Sequence, residues 1–99
     1  MSIKESKDIL LKLRKLKPEI KSRFKVKKIE LFGSYIRGGQ RSSSDIDILV
    51  DFEDGADLFN LIGLALFLEE KMHHKVDVVP KRALRAEFLD SVLKEAVSI

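Results

Sequence analysis

Apolar positions recur along this chain with two different periods, and the period changes where the elements change. Ile9, Leu13, Leu16, Ile20 and Phe24 follow one another at steps of three and four, with Leu10 beside them. That spacing places them on one face of a helix. Ser2-Ile3-Lys4-Glu5 fits a capping box at its start. Pro18 has no N–H, and its ring crowds the preceding turn, so the pattern predicts a break or kink after Leu16 or Lys17. Two short helices with a shared apolar face are expected, their outer face carrying Lys12, Lys15, Lys17, Lys21 and Arg23.

At Val26 the period drops to two. Ile29 and Leu31 alternate with Lys28, Glu30 and Phe32, which predicts a first strand ended by Gly33. Tyr35 to Arg37 read as a short helical turn stopped by Gly38-Gly39, and Gly38 to Ser44 as a polar loop with Gln40 and Arg41 at its tip. The second strand puts Ile46, Ile48, Val50 and Phe52 on one face and Asp45, Asp47, Leu49 and Asp51 on the other. After the acidic turn Glu53-Asp54-Gly55-Ala56, Asp57 is a good N-cap for a helix running to about Met72. That helix leaves little polar face, so it is either sandwiched or exposed at an interface. Lys75 to Val79 predict a third strand, ended by Pro80, with Asp77 opposite Val76 and Val78. Leu84, Phe88, Leu89, Val92, Leu93 and Ala96 set a last helix from about Arg85 to Glu95. The apolar tail to Ile99 either tucks against the sheet or extends.

Helices and strands in this order make an α/β domain with a small mixed sheet, its helices mainly on the apolar face. Ninety-nine residues, 44% of them hydrophobic, suit one domain with one core. Without cysteine there is no disulfide, thiolate chemistry or thiol-ligated zinc. Met1 to Lys17 is too charged for a signal peptide, and no apolar run approaches the roughly 20 residues of a membrane span. A cytoplasmic protein is expected. The net charge of +3 conceals an asymmetry: residues 1–28 hold 11 of the 19 Lys and Arg but only three acids. Phe24 is the only aromatic there. A solvated helix face is therefore expected rather than a nucleic-acid surface. The adjacent His73 and His74 face different ways at a helix end and make a poor metal pair.

The chemistry gathers between Leu31 and Asp51. The Cα atoms of Asp45 and Asp47 lie roughly 6–7 Å apart on the same strand face, so both carboxylates can reach one cation. Like charges about 4 Å apart repel by roughly 4 kcal/mol at an effective dielectric near 20, and the pair asks for a compensating positive charge. All-oxygen ligands favour a hard ion such as Mg²⁺. Asp51 lies too far along the strand and is read as solvated or salt-bridged. Directly after the first strand, Gly33 permits close backbone approach, and the Ser34 hydroxyl can donate to a phosphate. Arg37, one helical turn on, has a guanidinium suited to phosphate. Asp77 is a lone acid in a valine-rich strand, a place that calls for water or a ligand.

Gly33-Ser34, ten residues, then Asp45-x-Asp47 resembles the signature of polymerase-β-type nucleotidyltransferases. The fuller string from Phe32 to Gly38, with Ser44 to Val50, is similar to the minimal nucleotidyltransferases (MNT), and the resemblance covers nearly the whole chain. It implies the polymerase-β-like nucleotidyltransferase fold, with a three- to four-stranded sheet. It implies ATP as substrate, held by Gly33, Ser34 and Arg37. It makes Asp77 the third carboxylate, joining Asp45 and Asp47 to hold two Mg²⁺ ions. It also implies an antitoxin that transfers AMP to a tyrosine hydroxyl of a partner HEPN-domain ribonuclease toxin. Two other readings keep part of this picture. One is a nucleotidyltransferase acting on a small molecule or an RNA end. The other is a binding antitoxin that neutralises its partner by contact alone.

Overall fold

A computed structural model describes residues 6–37 and 44–99. The proposed capping box at Ser2–Glu5 and the loop tip at Gln40 and Arg41 lie outside them. The first helix, α1, runs unbroken from Ser6 to Phe24 with Pro18 inside it. The break expected at Pro18 does not occur, and the reason is tertiary. Pro18 is exposed and forfeits its bond to the Arg14 carbonyl, an interior proline costing about 3 kcal/mol. Against that stand Ile9, Leu13 and Ile20, all fully buried, and Phe24 at 7% exposure, on both sides of the proline. Each such burial contributes about 1.5–3 kcal/mol, so one continuous apolar face outweighs the local defect. Lys25, at φ 55°, ends α1 and turns the chain straight into the sheet.

Strands β1 (Val26–Phe32), β2 (Ile46–Phe52), β3 (Val76–Pro80) and β4 (Val97–Ser98) form one mixed sheet in the order β3-β2-β1-β4. β1 pairs antiparallel with β2 and β4, and β2 pairs parallel with β3. A parallel pair needs a crossover, and helix α3 (Leu58–Met72) supplies it. The two-residue β4 is the outcome for the tail. Its pairing with Glu30 and Leu31 continues as Ile99 N–H donates to the Ile29 carbonyl at 3.0 Å. Lys17 Nζ, donating to the Ile99 carbonyl at 2.9 Å, ties this edge to α1.

The core lies between one sheet face and helices α1 and α3. Ile29, Leu31, Ile46, Ile48, Val50 and Val76 meet Leu13, Ile20, Leu64 and Leu68 there. Exposure along the opposite face of β2 is graded. Leu49 is 1% exposed and lies outside that core cluster, Asp47 is half-buried, and Asp45, just before the strand, is exposed. Helix α3 begins on a reciprocal cap: Asp57 Oδ1 accepts from Asn60 N–H at 3.1 Å, and Asn60 Oδ1 accepts from Asp57 N–H at 2.9 Å. Leu64, Phe67, Leu68 and Met72 are buried, whereas Leu58, Phe59, Ile62 and Leu66 remain exposed. A helix apolar nearly all round therefore covers the core with one side only. Glu69 reaches from α3 to β3, accepting the Val76 N–H at 3.2 Å. A 3-10 turn, Lys81–Ala83, leads into helix α4 (Ala86–Glu95), which carries the chain from the β3 edge to the β4 edge and buries none of its residues completely. Among the described residues no helix is long and apolar enough to cross a membrane.

Candidate active site

The site begins where β1 ends. Gly33 turns the chain at φ +82°, a region that disfavours any residue with a Cβ. Its carbonyl accepts from Ile36 N–H at 3.0 Å and Arg37 N–H at 3.1 Å, closing the four-residue helix α2 (Ser34–Arg37). The Asp47 carboxylate packs directly on Gly33: a Cβ added there would stand 2.2 Å from Asp47 Oδ2. The turn and the acidic strand are thus in contact, and only a glycine allows it.

Strand register places the remaining acids. Asp47 pairs with Phe32 across the antiparallel ladder and with Asp77 across the parallel one. Residues in register on neighbouring parallel strands point to the same sheet face, with the strands about 4.8 Å apart. Asp77 therefore shares the face of Asp47 and lies away from the core occupied by Val76. Asp45 precedes β2 by one residue and has the same parity. The electrostatics agree with this convergence. Burial, then the carboxylates of Asp77 and Asp45, push the Asp47 pKa above the usual carboxylate value, and the Arg37 charge pulls it back. Arg37 is exposed and pairs with Glu95 of α4 at 3.0 Å.

The donor set is all-oxygen and carries more negative charge than Arg37 balances, which suits a hard divalent cation. As the side chains stand, no group of three histidine or acidic residues among those described is gathered closely enough to hold an ion. A groove of about 280 Å³ lined by Phe52, Ala56, Leu58, Leu61 and Pro80 lies at the other end of β2 and contains none of the site residues.

The sequence-predicted set therefore divides. Gly33 and Asp47 are in contact, Asp77 stands in register with Asp47, and Asp45 shares the strand face of Asp47. Ser34 sits next to Gly33 at the start of α2; Arg37 acts on Asp47 by charge while bound to Glu95. Sequence reasoning missed the contact of Tyr35 with His74, whose ring lies 3.0 Å from the Tyr35 hydroxyl. The two are 39 residues apart, and no local spacing announces them.

Comparison with known proteins points the same way. The family model described as "Nucleotidyltransferase domain" matches residues 13–99. Protein adenylyltransferase MntA of Thermococcus cleftensis is 42% identical over 83 residues, 84% of this chain and 84% of its own length. A solved structure described as a minimal nucleotidyltransferase superposes with a TM-score of 0.82 at 34% identity, covering 93% of this chain and 94% of that one. A structure of a tri-AMPylated HEPN toxin in complex with MNT antitoxin, from Shewanella oneidensis, matches with a TM-score of 0.65 at 26% identity, covering 90% of this chain and 69% of that one. With a family model matched over most of its length and a relative 42% identical, this chain is a nucleotidyltransferase and a member of the nucleotidyltransferase domain family.

Proposed function

We propose that this protein is an antitoxin that transfers AMP from ATP to a tyrosine hydroxyl of a HEPN-domain ribonuclease toxin. The observation that carries the reading is the register of Asp47 with Asp77, on a face where Asp47 also packs on the Gly33 turn. Acids and phosphate-binding backbone then meet at one point, as transfer between a triphosphate and a hydroxyl requires. The relatives supply the partner class: the Thermococcus protein is named a protein adenylyltransferase, and the Shewanella complex holds an AMPylated HEPN toxin.

In this reading Gly33 and Ser34 hold the triphosphate through backbone N–H groups and the serine hydroxyl, and Arg37 exchanges Glu95 for phosphate oxygens. Asp45 and Asp47 would hold one Mg²⁺ and, with Asp77, a second; ions held there would supply neutralisation of phosphate charge and a lower pKa for the attacking hydroxyl. Asp77 accepts the hydroxyl proton as the oxygen attacks the α-phosphorus. The bond from that phosphorus to the pyrophosphate oxygen breaks, and pyrophosphate leaves. Positioning and charge account for the rate, and no covalent enzyme intermediate is needed.

The test is incubation with a HEPN partner, ATP and Mg²⁺, followed by intact-mass and peptide mass spectrometry. One or more adenylyl groups on partner tyrosine support the reading, and labelling confined to added RNA or a small molecule refutes it. Asp77→Asn should lower transfer roughly 100-fold or more. Its folding should be unaffected, because Asp77 is exposed. A contact-only antitoxin is the second reading, favoured by the uncovered Leu58, Phe59, Ile62 and Leu66 on α3. Tight binding and neutralisation with no adenylyl group on the partner would establish it.

A further inference from the structure

Helix α2 is four residues long, and a single turn fixes many dihedrals for few hydrogen bonds. Its Ile36 and Arg37 amides both donate to the Gly33 carbonyl. Besides the Arg37–Glu95 pair, Tyr35 anchors it from outside: the residue is 3% exposed, and its hydroxyl lies 3.0 Å from Nε2 of His74. His74 follows the left-handed His73 that ends α3 and stands three residues before Asp77. Its Nδ1 lies 3.0 Å from the Lys75 carbonyl oxygen. A carbonyl only accepts, so Nδ1 carries the proton, and Nε2 is left to accept the Tyr35 O–H. The same Lys75 carbonyl also accepts the Ile46 N–H at 3.0 Å, one residue before Asp47. Three hydrogen bonds thus connect the glycine-serine turn to the rung that sets Asp47 beside Asp77. The Tyr35 and His74 rings meet edge to face, with centroids 5.8 Å apart, which limits rotation of either.

We propose that Tyr35 and His74 are positioning residues of the transfer site: their bond fixes the Gly33-Ser34 turn, and with it the triphosphate, relative to the strands of Asp47 and Asp77. Neither touches the reacting atoms. The inference rests on reading Gly33-Ser34 as the phosphate-holding turn.

Two measurements test it. Hydrogen exchange of the Ile36 and Arg37 amides reports the order of α2 without substrate, and steady-state transfer reports KM for ATP separately from kcat. Tyr35→Phe and His74→Phe should each speed exchange at those amides about five- to tenfold and raise KM by a similar factor, the range one part-buried hydrogen bond sustains. The change in kcat should stay below about threefold. The double variant should be no worse than the worse single one, because both remove the same bond. His74→Gln, whose side-chain carbonyl can accept from Tyr35, should recover most of the loss. Unchanged exchange in Tyr35→Phe, multiplying effects in the double variant, or a fall in kcat at constant KM would each overturn the clamp. A wild-type protein that transfers no AMP sinks the functional reading instead, and exchange alone then decides the clamp.

Discussion

Gly33→Ala should abolish nucleotidyl transfer, although only one methyl group is added. Two costs fall on the same atom. The backbone there sits at φ +82°, which costs a residue with a Cβ about 1–2 kcal/mol. The new Cβ would also stand 2.2 Å from Asp47 Oδ2, 3.0 Å from Cγ and 3.1 Å from Cβ of the same side chain. The cheapest relief rotates the Asp47 carboxylate away, because the alternative is to pull β1 from β2 at a point where Phe32 and Asp47 are paired. Relief therefore dismantles the site while sparing the sheet. Expected results are a loss of stability of about 1–3 kcal/mol by denaturant unfolding and transfer down by at least about 10²-fold. The discriminating measurement is a cycle with Asp47→Ala. With the carboxylate gone, adding the methyl at Gly33 should cost little beyond the backbone term, so the two substitutions should be less than additive in stability. Full additivity would mean that the glycine serves its own conformation only and does not seat Asp47.

Much of this site was legible in the sequence because its parts are local. Asp45 and Asp47 share a face by strand parity, and Gly33-Ser34 follows a strand whose end is marked by its apolar alternation. The reach of Asp77 to Asp47 was legible only as far as Asp77 breaks a valine run; the register that sets the two side by side is made by α3 and the ladder, across 30 residues. Pro18 shows where local reasoning fails. The rule against interior proline is sound, but four buried residues spread along α1 outweigh it. The tail shows the reverse case, since two residues carry too little pattern to announce β4, and pairing with Glu30 and Leu31 decides their conformation. His74 reads in the sequence only as a helix-end residue, because its partner Tyr35 stands 39 residues away along the chain.

Asp47→Asn should stop transfer while making the metal-free protein more stable near neutral pH. The sign follows from the environment of the carboxylate. Burial comes first, then Asp77 and Asp45, and together they raise the Asp47 pKa above its ordinary 3.8. A folded-state pKa above the unfolded one means that the folded protein holds the proton more tightly. The stability this contributes is fully present below the unfolded pKa and is lost as pH rises through the folded one. At neutral pH the ionised Asp47 is thus a net burden on the free protein, and asparagine removes the charge at nearly constant shape. Thermal unfolding should show the variant melting above wild type at neutral pH in chelator, with the gap closing as pH is lowered through the raised pKa. Mg²⁺ should raise the wild-type melting temperature and leave the variant nearly unmoved, because the charge that the ion would neutralise is gone. Transfer should fall by about 10²–10³-fold or more. A variant that melts below wild type in chelator, or gains as much from Mg²⁺, would show that Asp47 is a structural acid and that the ion, if it binds, is held elsewhere.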